Sequence, residues 1–194
     1  MGKPRQTNRQ QNVNGTQQGV RPLFIDALRY SREIYDPRWN IETLQKNVAE
    51  KIGGQVKYNI ENGIFVNTCA IRMSYILHRC GLKIDFKKGQ TSSGTTVDDK
   101  GNKQIKWYYY RVDDLIKFLT KEWVKPDKII DYPTEKDLKG KKGIIIFKTN
   151  FSDATGHATL IDGTHTAASC YDHCYFYDAT QKNKTTEAHF WELR

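Results

Sequence analysis

No stretch of this 194-residue chain approaches the roughly 18–20 consecutive apolar residues that cross a membrane as a helix, so a membrane span is not expected. The first residues, Met1-Gly2-Lys3-Pro4-Arg5, run on into Gln and Asn with no apolar segment behind them, and a cleavable secretory signal is not expected either. Cysteine is scarce. Four residues (Cys69, Cys80, Cys170 and Cys174) cannot staple a chain of this length into a disulfide scaffold, so each needs its own explanation. Acidic side chains are missing from residues 1–22, where Lys3, Arg5, Arg9 and Arg21 stand among Gln and Asn.

The apolar fraction is also modest, 38% with 11 Tyr counted in, and the formal charge is +9. Low hydrophobicity with high charge is the direction of disorder. That description suits residues 1–22, which offer nothing to bury and read as a disordered basic tail. It fails for residues 23–194, where aromatics and aliphatics recur in periodic runs and the charge left is about +5. The tail carries no aromatics between its charges, so solubility explains it better than nucleic-acid binding. Residues 23–194 are long enough for one domain with a real core.

Helical patterns fill the first half. Leu23, Phe24, Ala27, Leu28, Ile34 and Tyr35 form one, stopped by Pro37. Asn40 is a natural N-cap for a second, with Ile41, Leu44, Val48 and Ile52 on one face and Gly53-Gly54 at its end. In the third, Asn67 and Thr68 are caps, Cys69 lies in the first turn, and Met73, Ile76, Leu77 and Cys80 form a core stripe closed by Gly81. Cys80 is accordingly a buried core thiol, and Arg72 a solvated or ion-paired surface residue. Residues 87–104 are polar and Gly/Ser/Thr-rich and read as a long loop, and 105–112 as an aromatic strand. Asp113 caps a helix running to Trp123. Strands are expected at 144–147 (apolar enough for burial on both faces), 158–161, 175–177 and 190–191. Helices first and an antiparallel sheet afterwards make an α+β fold.

A cysteine at a helix start has two aids to ionisation. Unpaired N–H groups and the helix dipole both favour the thiolate, and the same N–H groups can receive an oxyanion. Far along the chain, Gly156-His157-Ala158-Thr159 opens a strand. A Cys on an N-terminal helix and a His on the sheet packed against it form the papain-type arrangement. For a carboxylate to orient the imidazole, Asp172 is the first candidate: a hairpin with residues 162–167 as its loop sets position 172 opposite position 157 on the same face. Asp162 is the second, although alternation sends it to the other face and it sits at a turn. Cys170 and Cys174 flank Asp172 as C-x3-C, with His165 and His173 nearby. Free thiols and a local disulfide are both open readings here, and a zinc site lacks a second ligand knuckle.

Five ordered motifs carry a family resemblance. Asn67-Thr68-Cys69-Ala70-Ile71-Arg72-Met73-Ser74-Tyr75 resembles the nucleophile helix of the type VI secretion amidase effectors, family 4. Tyr110-Arg111-Val112-Asp113-Asp114-Leu115 and Gly140-Lys141-Lys142-Gly143-Ile144-Ile145 resemble its middle segments. Gly156-His157-Ala158-Thr159-Leu160 and Cys170-Tyr171-Asp172-His173-Cys174 match its His and Asp motifs. Where the family often has Pro after the nucleophile, this chain has Ala70.

The resemblance implies an NlpC-like, papain-related cysteine amidase. It would be injected into rival Gram-negative bacteria without a leader and act in the target periplasm. There it would cut peptidoglycan stem peptides between γ-D-glutamate and meso-diaminopimelate. Cys69 would be nucleophile, His157 general base and Asp172 the orienting group, with Cys170 and Cys174 the family's disulfide. No cofactor or metal is implied. Expected partners are the peptidoglycan substrate, the secretion machinery and a small, acidic cognate immunity protein. Two other classes fit the residues less well: a papain-like protease or transferase acting on a protein amide, and a non-enzymatic basic nucleic-acid binder.

Overall fold

A computed structural model describes residues 19–97, 101–152, 154–165 and 167–194. Five helices, α1 (Phe24–Ser31), α2 (Ile41–Ile52), α3 (Gly54–Glu61), α4 (Cys69–Arg79) and α5 (Val112–Trp123), pack with strands β1 (Thr91–Val97), β2 (Lys103–Tyr109), β3 (Lys128–Asp131), β4 (Lys142–Thr149), β5 (His157–Asp162), β6 (Ser169–Cys170) and β7 (Thr185–Glu192). The last five form an antiparallel sheet in the order β3-β7-β4-β5-β6, and β1 and β2 form a separate hairpin. The α+β expectation holds.

Helix α4 is the hub. Residues 69–77 are all buried, the mark of a helix enclosed by protein on every side. Its Met73, Ile76 and Leu77 join α1, α5 and one face of the sheet, where Ile144, Ile146, Ala158, Leu160 and Trp191 project. Its other side gives Ile71 and Tyr75 to a cluster with α2, α3 and Tyr108. The opposite sheet face, with Ile145, Phe147, Ile161 and Phe190, is closed by Leu138, Ala168, Tyr175 and Phe176. Strand β4 is therefore buried on both faces, as its unbroken apolar run requires.

Several local expectations change. Gly53, at φ 67°, ends α2 but α3 begins at once, so the glycine pair marks a corner between helices. A Cβ at Gly53 would stand 2.9 Å from Thr95 O, which is how closely the β1–β2 hairpin approaches. Residues 87–104 contain β1, whose Ser and Thr side chains hid a strand behind loop-like composition. Arg111, rather than Asp113, is the N-cap of α5, and Asp113 and Asp114 sit in its first turn, where the dipole favours them. Residues 175–177 are irregular, although Tyr175 and Phe176 still bury against Phe147; β6 at 169–170 pairs with β5 instead.

Residues 1–18 of the expected tail lie outside the described residues. Residues 19–22 are held to the body. Gly19 N–H donates to Glu122 O, Pro22 O accepts the Arg194 N–H, and Arg21 pairs with Asp127.

Candidate active site

Cys69 is the first residue of α4, and its side chain is 3% exposed. Asn67 Oδ1 accepts the Cys69 N–H at 3.0 Å, while the N-cap Thr68 makes no side-chain cap bond. The Cys69 N–H expected to be free for an oxyanion is therefore engaged by the side chain two residues before it. The thiol sulfur lies 3.9 Å from Gly156 O.

Gly156 brings the sheet to this helix start. It precedes β5 at a point where a Cβ would stand 2.0 Å from Phe147 O, so no larger residue fits without backbone movement. His157 follows, paired in register with Phe147. Its ring is 5.0 Å from that of Tyr175 and its side chain is buried. His157 Nε2 lies 3.2 Å from Asp172 Oδ2, off the line of a well-aligned hydrogen bond. Because Nε2 faces Asp172, Nδ1 is the ring nitrogen left for the contact with Cys69.

The register that delivers Asp172 differs from expectation by two residues. Ile161 pairs with Cys170 and Asp162 with Ser169, and Tyr171 N–H donates to Leu160 O. Position 172 therefore falls beside Thr159, whose Oγ1 accepts the Asp172 N–H at 3.2 Å. A shift of two preserves the face, so the carboxylate still reaches His157, diagonally. Asp162 is spent elsewhere: its Oδ1 accepts from the N–H and hydroxyl of Thr164 at the following turn. Cys170 and Cys174 are joined, with Sγ–Sγ 2.06 Å and Cα atoms 5.2 Å apart, closing a short loop around Asp172. His165 and His173 are exposed, the latter 3.8 Å from Asp172 Oδ1. Among the described residues no group of three or more His, Cys, Asp or Glu could hold a metal ion.

Two residues underrated in the sequence complete the site. Arg72 is buried, not at the surface. Its Nη2 lies 2.6 Å from Asp172 Oδ2, the oxygen that His157 also faces, and its guanidinium stands 5.0 Å over the Tyr35 ring. Tyr35 is the other; burial and the neighbouring Asp172 push its hydroxyl up to about 12. The available signal for Arg72 was its i+3 spacing from Cys69, which places both on one helix face. Cys80, read as a core thiol, is only half-buried at the far end of α4, and burial pushes its thiol up to about 12.

Ionisation follows from this packing. Burial raises the Cys69 thiol, but contact with His157, the charge of that imidazole and the charge of Arg72 outweigh it, and the net direction is down. Burial lowers His157, yet Asp172 and then Cys69 raise it to about 9. Burial raises Asp172 too, and His157 and Arg72 reverse this, holding it well below the carboxylate range. A depressed thiol beside an elevated imidazole is the direction that favours a thiolate–imidazolium pair.

A cleft runs past this pair with two lobes that share Val66 and Asn67. One, about 440 Å³, is lined by Phe65, Cys69, Tyr110, Arg111 and Gly156, with Phe65 and Tyr110 stacked at 5.0 Å. The other, about 330 Å³, is lined by Tyr35, Trp39, Arg72, His157, Asp172 and Tyr175.

Comparison with known proteins agrees with the motif resemblance. The model of a family described as type VI secretion system (T6SS), amidase effector protein 4, or Tae4, matches residues 65–191. No curated protein matches. Among solved structures, the Tae4–Tai4 effector–immunity complex from Enterobacter cloacae is 36% identical, with a TM-score of 0.72 over 90% of this chain and 100% of that one. Free Tae4 from Enterobacter cloacae is 36% identical, covering 91% and 99%, with a TM-score of 0.71. Tae4 from Salmonella typhimurium, bound to the immunity protein Tai4 from Enterobacter cloacae, is 34% identical, covering 90% and 100%, with a TM-score of 0.72.

Proposed function

The chain belongs to the type VI secretion amidase effector family 4, and from that premise we propose that it cleaves peptidoglycan stem peptides at the γ-D-glutamyl–meso-diaminopimelate bond, using Cys69, His157 and Asp172. Its family is one of antibacterial hydrolases delivered by the type VI system, and its partner is a cognate immunity protein. The periplasm of the target cell is the proposed site of action, where a Cys170–Cys174 disulfide persists. Residues 1–22 are proposed as a basic tail ahead of a single amidase domain at residues 23–194.

The observation that carries this reading is the buried Cys69 at the start of α4 beside His157, with Asp172 behind the ring. In the proposed reaction the Cys69 thiolate attacks the γ-carbonyl carbon, forming a C–S bond while the carbonyl oxygen takes the negative charge. The acyl oxygen competes with Asn67 Oδ1 for the Cys69 N–H, at the positive end of the helix. Collapse breaks the C–N bond, and the His157 Nδ1 proton passes to the leaving amine of diaminopimelate. Water then attacks the thioester and gives one proton to His157; the C–S bond breaks to restore the Cys69 thiolate, and the new γ-carboxylic acid gives its proton to solvent. Asp172 keeps the ring oriented and stabilises its charged form throughout. The cationic surface steers the enzyme toward a carboxylate-rich polymer, an effect that salt weakens.

Turbidity of purified sacculi tests the assignment. The native chain lowers it and Cys69→Ala does not. Clearing by Cys69→Ala at the native rate rejects the thiol mechanism.

A further inference from the structure

Asp172 has two cationic neighbours and the acyl-transfer scheme uses only one. Arg72 lies closer to the shared oxygen than His157 does, 2.6 against 3.2 Å, and its contact is the better aligned. The arginine side chain is 9% exposed and the carboxylate 7%, so this pair is not a surface ion pair of little weight. An arginine so deeply placed loses hydration, and its Nε has no hydrogen-bond partner. Tertiary structure keeps it there nonetheless, through Asp172 and the face of Tyr35. Arg72 and Cys69 are three residues apart on α4, so both side chains leave the same face of the helix, and Asp172 and Tyr35 hold the guanidinium there.

We propose that Arg72 is a positioning residue of this site: it clamps Asp172 Oδ2 behind His157 and supplies the permanent positive charge that favours the ionised forms of Asp172 and Cys69. The proposal rests on the Cys69–His157–Asp172 reading and extends it. The ionisable and charged groups facing Arg72 are Tyr35 before α2, Cys69 on its own helix, His157 on β5, and Asp172 with the exposed His173 in the disulfide loop. Of these, Asp172 supplies a negative charge that Arg72 stabilises, and His157 a positive one that it opposes. Removing the guanidinium therefore leaves the thiolate with less support and the Asp172 carboxylate without the contact that holds it behind the ring.

The test uses the full chain with its disulfide intact and Cys80→Ser, so that Cys69 is the one free thiol. Iodoacetamide alkylation of Cys69 is followed against pH in the native background, Arg72→Gln and Arg72→Lys, beside kcat and KM for stem-peptide cleavage. Arg72→Gln should move the alkylation midpoint up by about one pH unit or more, the scale of losing a nearby opposite charge. Its kcat should fall at least about tenfold with KM little changed, the pattern for a lost transition-state interaction. Arg72→Lys keeps the charge, so the midpoint should stay near the native one. A point ammonium cannot reproduce the planar fork, so its kcat should still fall.

An Arg72→Gln midpoint and kcat equal to the native values overturn the proposal. Should Arg72→Gln fail to fold, Arg72→Lys decides: native kcat overturns the clamp, and a midpoint raised by a full unit overturns the charge role. Alkylation does not depend on the substrate. Failure of the native chain to cleave sacculi would sink the peptidoglycan reading while the alkylation comparison still judged Arg72.

Discussion

His157 and Asp172 meet diagonally across two neighbouring segments, with Nε2 3.2 Å from Oδ2, while Thr159 occupies the position directly beside Asp172. The arrangement depends on how β5 is continued past its short pairing with β6. Thr159 Oγ1 accepts the Asp172 N–H, Leu160 O accepts the Tyr171 N–H, and the Cys170–Cys174 bridge closes the loop. The carboxylate is thus fixed by its backbone as well as by its charge partners.

Replacing the carboxylate should separate the two aspartates. Asp172→Asn should lower kcat by about 10²–10⁴-fold, because the ring loses the partner that selects its tautomer and stabilises its charge. Asp162→Asn should stay within a few-fold, since Asp162 serves Thr164 at a turn. Steady-state kinetics on a purified muropeptide check this, and the reverse ranking would move the orienting role to Asp162.

The pH profile should be a bell. In the proposed mechanism the reactive form is the Cys69 thiolate with the His157 imidazolium. Its rising limb follows loss of the Cys69 proton and should lie below the ordinary thiol value of 9.0. Its falling limb follows loss of the His157 proton near pH 9. Asp172 and Cys69 together raise His157 against burial, so Asp172→Asn, which removes one of the two, should shift the falling limb down from the native position. Plots of kcat/KM against pH for the two proteins measure both limbs.

Asn67 should show its place through charge. Asn67→Asp keeps an acceptor for the Cys69 N–H and adds a negative charge that the helix start favours, so thermal stability should be kept or raised. The same charge opposes the thiolate and the developing oxyanion, and kcat/KM should fall by about 10²-fold. Calorimetry with kinetics distinguishes this from a folding defect, in which both would fall.

Strain is stored away from the site at Val124. It follows α5 with φ 67° and ψ −172°, a region that costs a β-branched residue about 1–3 kcal/mol, and it is more than half exposed. Val124→Gly should stabilise the protein by about 1 kcal/mol and raise Tm by about 2–4 °C, with kcat unchanged. A lower Tm would show that the side chain compensates for its backbone.

Apolar periodicity made the main helices legible, and the unbroken run at β4 announced burial on both faces. Strand β1 was not legible because Thr, Ser and Gly at 91–96 have loop-like composition, and only its pairing with the aromatic β2 makes it a strand. Cys69, His157 and Asp172 were picked out by local context, and they lie together. Arg72 was read as a surface residue, since an arginine looks solvated until tertiary packing buries it; Asn67 was read as a cap, but its engagement of the Cys69 N–H itself was not foreseen. The two-residue difference in hairpin register left the face intact, so the carboxylate was found through parity rather than through the correct pairing.

The most direct test of the central claim is mass spectrometry of soluble products from purified sacculi digested by the native chain and by Cys69→Ala. The account predicts fragments ending in a free γ-D-glutamyl carboxylate, matched by fragments beginning with a free diaminopimelate amine, from the native chain alone. Intact stem peptides, cleavage at another bond, or the same fragments from Cys69→Ala would contradict it.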